Sequence, residues 1–361
     1  MKISLTNKKV VVYDTIGPHS RENLCFDRNV AKEEWANYSS VYLYEECLKN
    51  GIQLITSDIY FALPKKPKAI CVRERDDADL KTSLALQKEG VKLAIIRSSE
   101  NPLYACQFYW NLTWLTSHFD HSVVMRGVKS WVSKKSQFHP QYTPHGYYTH
   151  VRQVAPGFGS KKFLVMIQKN TRVHWLHRLY VNVMNVIKPM PTFTNREGYL
   201  DRLKAIRYFS QYDDFDLYGR GWNTPVRYTQ AYDASIKKSY RGSPDDKYET
   251  LKQYRFSLVL ENSYLGGYVQ YMKDSLYAGA VPIYWGAPDI TDIFPPACFI
   301  DFRKFDCDFA KLDHYLRNMD ESEYNEYIGN INKWIASPEG GYAISQEKFV
   351  GEMIQLFNSY F

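Results

Sequence analysis

The residues best placed to do chemistry lie in 258–268, where the apolar run Leu258 to Leu260 passes into Glu261, Asn262 and Ser263, then Gly266, Gly267 and Tyr268. A loop that leaves a strand and enters a helix presents free backbone N–H groups and the positive end of the helix dipole, a setting that suits a phosphate. The same pattern also describes an ordinary βα turn. A second arrangement is 215–222, where a strand-like run ends in Gly219 and Gly221 with Arg220 between them. A guanidinium held there can meet a diphosphate bidentately, or it is simply a surface Arg in a turn.

Two patterns look like metal sites and carry little weight. Asp214/Asp216 and Asp306/Asp308 each fit the three-residue DxD pattern, which chance supplies readily in a chain of 361 residues. Asp214 and Asp216 also stand at the start of a strand rather than its end. His174 and His177 are one helical turn apart but have no evident third ligand. No metal is expected. Walker A, GxSxG and strand-linked GxGxxG motifs are all absent.

The elements that must position these residues alternate between strand and helix. Strands are expected over 9–13, 52–55, 69–72 and 91–96, with helices over 33–50 and 79–89. The stretch 154–162, with Pro156, Gly157 and Gly159, reads as an interdomain linker. Beyond it, strands are expected over 163–167, 215–218, 256–260 and 281–285. Helices are expected over 197–212, from Ser243 as N-cap to about 254, and over 268–277. This alternation points to open parallel sheets in two domains, 1–153 and 163–361, with ligand outside the carboxyl ends of the strands.

Composition narrows the class. With 45% hydrophobic and 24% charged residues the chain is globular, and its length suits two domains. A net charge of +7 is mild: it suits an anionic substrate or an anionic membrane face, and falls short of a nucleic-acid binder. The 30 Tyr are a usage met in sugar-binding proteins and equally in a Tyr-rich core. Six scattered Cys without CxxC spacing read as buried free thiols. The N-terminus has no signal-like apolar region, and no window approaches a membrane span, so a cytosolic protein is expected.

The second half resembles a known family. Tyr254 to Ser263, Tyr268, Ala278 to Gly286, and Phe294 to Asp301 are similar to the donor-binding signature of glycosyltransferase family 10, the α-1,3-fucosyltransferases, in its bacterial type. Arg202 to Arg207 leading to Asp216 and Arg220 fits upstream, as does Trp110 to Thr113 leading to Asp120 and Gly127. The similarity covers most of 110–310, is strongest over 254–302 and is not visible in 1–90.

The resemblance implies an α/β GT-B fold, two Rossmann-like domains facing across a cleft. It implies metal-independent, inverting transfer of L-fucose from GDP-fucose to a hydroxyl of an oligosaccharide acceptor, such as a lipopolysaccharide glycan. Residue by residue, Arg202 falls on the family's phosphate-contacting arginine, Glu261 and Asn262 on its Glu-Asn pair, and Tyr268 on the Tyr that opens the signature helix. Arg220 is a further phosphate candidate. Glu100 is the candidate base of the acceptor-side domain, or else a turn glutamate. Where the family reads Thr-Glu-Lys, this chain has Gln270, Tyr271 and Met272; Gln270 then serves the ribose and Lys273 the diphosphate. If neither substitutes, the donor is another nucleotide sugar, or the protein binds without turnover. On this reading Arg202→Ala lowers turnover and leaves the fold intact.

Overall fold

The computed structural model describes residues 9–17, 19–33, 38–141, 157–170, 175–190, 198–223 and 230–361. Among them run eleven strands, which form two sheets. The first holds β1 (Lys9–Thr15), β2 (Ile52–Thr56), β3 (Ala69–Glu74), β4 (Lys92–Arg97), β5 (His121–Val124) and β6 (Gln137–Pro140), in the spatial order β2-β1-β3-β4-β5-β6. The second holds β7 (Lys162–Ile167), β8 (Phe215–Tyr218), β9 (Tyr254–Leu260), β10 (Val281–Trp285) and β11 (Ile300–Asp301), ordered β11-β10-β9-β7-β8. Every pairing within them is parallel. Parallel sheets are covered on both faces, which is why β2 and β10 are buried along their whole length and β10 reads as an unbroken apolar run rather than an alternating one.

The chain forms two compact units. One joins Met1–Tyr147 with Leu179–Phe193 and Ser345–Phe361; the other is Tyr148–Arg178 with Thr194–Ile344. The linker and the second domain read from sequence give one crossing between domains and place the chain's end in the second. The end instead packs in the first unit, because Phe349, Val350, Met353 and Phe357 of the helix Gln346–Asn358 join a core with Val11, Leu54 and Ile70. Tyr360 Oη reinforces this by donating to Asp120 Oδ2 at 2.9 Å. Part of the linker, 154–156, lies outside the described residues.

Two expected helices start late, for a physical reason in each case. The helix expected from Ser243 runs over Lys247–Lys252, capped by Asp246, whose carboxylate accepts from Glu249 N at 3.0 Å. Asp is as good an N-cap as Ser, and it stands two residues before the first helical residue that reaches the core, Tyr248. The helix expected over 268–277 begins only at Met272. Tyr268 and Gln270 therefore lie in the loop before it. The short strands β5, β6 and β11 were not anticipated, since two to four residues carry too little periodicity to stand out.

Candidate functional site

The second unit's site is built on the end of β9. Leu260 is its last residue, and its carbonyl accepts from Arg202 Nε at 3.0 Å and from Gln168 Nε2 at 2.7 Å. Arg202, on the helix Gly198–Phe209, is only 2% exposed. Its guanidinium also donates to Asn262 Oδ1 at 2.6 Å, while Asn262 Nδ2 donates to Tyr268 Oη at 3.1 Å and Gln270 Oε1 at 3.4 Å. Five of the residues singled out from sequence thus meet in one network: Arg202, Glu261, Asn262, Tyr268 and Gln270.

Glu261 holds the loop. Its Oε1 accepts from the backbone N–H groups of Gln270 at 2.8 Å and Tyr271 at 3.1 Å. Those N–H groups are therefore spent on a protein carboxylate rather than left for a phosphate, and the wrap they make is what delays the following helix. Glycines permit the fit. A Cβ at Gly198 would stand 1.9 Å from the Glu261 carbonyl oxygen, and one at Gly286 would stand 2.5 Å from Glu261 Cγ and Tyr284 Oη. Since the first of these obstacles is backbone, Gly198→Ala is expected to cost more than about 3 kcal/mol, read as a fall in the denaturant midpoint.

Burial is the main influence on the Glu261 carboxyl and raises it from the usual 4.5 to about 7, against the Tyr271 and Gln270 N–H groups and the Arg202 charge, which pull it down. Its Oε2 has no hydrogen-bond partner. Because the folded protein holds this proton more tightly than the unfolded chain, the associated stability is fully present below pH 4.5 and is lost as pH rises to 7. The loss is about 3 kcal/mol. Glu261→Gln, which cannot ionise, is expected to lack this fall when its stability–pH profile is subtracted from that of the original protein.

Cations gather around Tyr271. The Arg202 guanidinium lies 5.8 Å and Lys247 Nζ 5.2 Å from the centre of its ring. Lys247 is also ion-paired with Asp274. It was missed from sequence, where its only signal is its place directly after Asp246. Lys273 is buried, 4% exposed, at the start of the helix Met272–Ala278. Arg220 stands apart from this network, exposed on the loop after β8.

The DxD aspartates serve other partners. Asp214 receives both terminal nitrogens of Arg317, at 2.8 and 3.1 Å, while Asp216 takes Tyr254 Oη at 2.7 Å and Arg241 Nε at 2.6 Å. Asp306 pairs with Lys311, and Asp308 caps the helix Phe309–Asn318. His174 lies outside the described residues.

Glu100 belongs to the first unit, where the ends of β3 and β4 bring together several charges. Arg97 pairs with Glu74 at 2.6 Å, Arg73 with Asp77 at 2.7 Å and Arg75 with Asp14 at 3.1 Å. Two carboxylates here form no ion pair among the described residues. Asp76 accepts from Ser98 Oγ at 2.6 Å, and Glu100 Oε1 from Asn101 N at 2.8 Å. Removal from water raises both carboxyls above their ordinary values, and the charge of Asp76 adds to the rise at Glu100. A carboxyl poised nearer neutrality is what a general base needs. Asp76 was not found from sequence because β3 had to be placed beside β4 before it met Glu100.

Residues 186–347 match the model of glycosyltransferase family 10 (fucosyltransferase), C-terminal part. Over this stretch the chain is similar to family 10 glycosyltransferases. The match falls on the stretch where the resemblance was strongest, starts later than 110 and runs past 310. An alpha-(1,3)-fucosyltransferase FucT of Helicobacter pylori is 33% identical over 113 residues, 27% of this chain and 23% of that protein. GDP-fucose protein O-fucosyltransferase 3 of Danio rerio is 28% identical over 164 residues, 42% of this chain and 35% of that one. The chain thus spans about a quarter to a third of the length of these relatives. A crystal structure of an alpha1,3-fucosyltransferase aligns over 99% of this chain and 93% of its own, with a TM-score of 0.51 and 14% identity. The likeness is one of fold: α/β, of GT-B type with two Rossmann-like sheets. The matched stretch contains all the network residues of the second unit described above, from Arg202 to Gln270.

Proposed function

We propose that this protein transfers L-fucose from GDP-fucose to a sugar hydroxyl of a surface glycan such as lipopolysaccharide, with inversion, without a metal, on the cytoplasmic side of the membrane. The observation that carries this is the family 10 network at the end of β9, with cations of Arg202 and Lys247 around Tyr271. In a single displacement a base removes the acceptor proton while cations receive the charge that develops on the departing diphosphate. Arg202 and Lys247 answer the second need, with Lys273 and Arg220 as further cations. Glu100 answers the first, on O3 of a GlcNAc- or Glc-type residue. Asn262 and Gln270, both partly exposed, serve the nucleoside, while Tyr268 and Glu261 are fully buried and hold the loop behind them.

Calorimetry with GDP, UDP, CMP and dTDP, each with Mg²⁺ and with EDTA, tests this. GDP is expected to bind alone of the four and equally in both conditions. The replacement of the family's Thr-Glu-Lys by Gln270, Tyr271 and Met272 favours a second reading, another nucleotide sugar, which preference for a different nucleotide would establish. Metal-dependent binding would remove the metal-independent mechanism.

A further inference from the structure

Counted along the chain, the positive charge is concentrated. Residues 121–196 contain 12 of the 46 Lys and Arg and none of the 39 Asp and Glu, so the excess of +7 arises there and the remainder is net acidic. Within this stretch, the helix Trp175–Ile187 shows solvent an aliphatic face: Leu179 is 52% exposed, Val183 51%, Val186 86% and Ile187 73%. These positions are spaced four, three and one apart and so share one side of the helix.

The helix is fixed in the first unit by its other side. Asn185 Oδ1 accepts from Trp110 Nε1 at 3.1 Å, and Lys188 Nζ donates to Asn111 Oδ1 at 3.0 Å. Just beyond Asn111, the short helix Leu112–Thr116 carries Trp114, 49% exposed. Thr113 Oγ1 on it donates to the carbonyl of Trp131, itself 37% exposed, at 2.7 Å. Lys129, Lys134 and Lys135 stand exposed on either side of Trp131. Neighbouring elements of this unit therefore carry exposed aliphatic residues, two indoles and lysines, and the stretch 121–196 that supplies most of them holds no acid.

We propose that these elements dock on an anionic phospholipid bilayer, with Val183, Val186 and Ile187 entering the headgroup–acyl boundary, Trp114 and Trp131 at the interface and the lysines on lipid phosphates. Each component matches the physics of interfacial binding: buried aliphatic area, amphipathic aromatics, and attraction of Lys and Arg to an anionic leaflet. At 13 residues the helix is too short to cross a hydrocarbon core of about 30 Å, and among the described residues no helix is long and apolar enough to do so. Aliphatic side chains at 73% and 86% exposure have no use against nucleic acid, whose phosphates would need the charge alone. The docking would hold the enzyme where a lipid-linked acceptor is presented.

Sedimentation of the full chain with vesicles tests the proposal, using phosphatidylcholine alone and phosphatidylcholine mixed with phosphatidylglycerol. Binding is expected only to the anionic vesicles, weakening as salt is added. The double variant Val186→Glu, Ile187→Glu is expected to bind roughly tenfold more weakly or worse, and Lys129→Gln, Lys134→Gln, Lys135→Gln to lose roughly tenfold or more together with much of the salt dependence. All five positions are exposed, so melting temperatures should stay unchanged; a Ser pair at 186 and 187 replaces the Glu pair if it does not fold. Independently of any folding concern, brominated phosphatidylglycerol should quench tryptophan fluorescence, and Trp114→Phe should reduce that quenching. The proposal is overturned if the protein ignores anionic vesicles, if both variants bind as the original does, or if the aliphatic variant abolishes only a self-association seen without lipid.

Discussion

Glu100→Gln is expected to lower kcat by roughly 10²- to 10⁴-fold, the usual worth of a general base, with GDP affinity unchanged. The two effects separate because Glu100 sits at the end of the first unit's sheet, whereas the network around Arg202 and Asn262 is built wholly within the second unit. A base acts when deprotonated, so kcat should rise with pH across the Glu100 titration. Loss of hydration places that limb above the ordinary glutamate range, and the neighbouring Asp76 charge pushes it further. Glu100→Gln should abolish the limb, while Asp76→Asn should shift it to lower pH and leave most of the rate. If Asp76→Asn instead removes the rate and Glu100→Gln does not, Asp76 is the base and Glu100 the neighbour that tunes it.

Arg202→Ala is expected to lower both activity and stability, the latter by about 3 kcal/mol, seen as an early denaturant midpoint. The sequence reading had this substitution spare the fold. The structure leads to a different expectation, because the guanidinium is buried and bonds the Leu260 carbonyl and Asn262 together. Removing it leaves Asn262 Oδ1 without its donor, and Asn262 is in turn the link to Tyr268 and Gln270. One of the two cations beside Tyr271 is lost as well. Arg202→Lys keeps a charge but cannot reproduce two bonds from one planar fork, so it should recover part of the stability and less of the activity. A variant with Ala at 202 that melts with the original protein would sink this account of the site.

Much of the fold was legible because parallel strands buried on both faces are rich in continuous apolar runs; β1, β3, β7 and β10 were all recognisable that way. The loop around Glu261 was not, since its shape follows from a buried carboxylate bonding two N–H groups ahead of it, which no periodicity records. Ser243 and Asp246 are both good caps, and only packing chose between them.

Sequence by itself determined that the chain makes parallel α/β sheets and that a family 10 signature surrounds Glu261, because local propensity and residue order are written in one dimension. Tertiary structure alone decided that Arg202 joins Asn262 across 60 residues of chain, that Asp76 lies near Glu100, and that the terminal helix returns to the first unit. Those outcomes depend on which buried groups find partners in space. A buried carbonyl or guanidinium takes whatever donor or acceptor the packing brings to it, however far away in the chain.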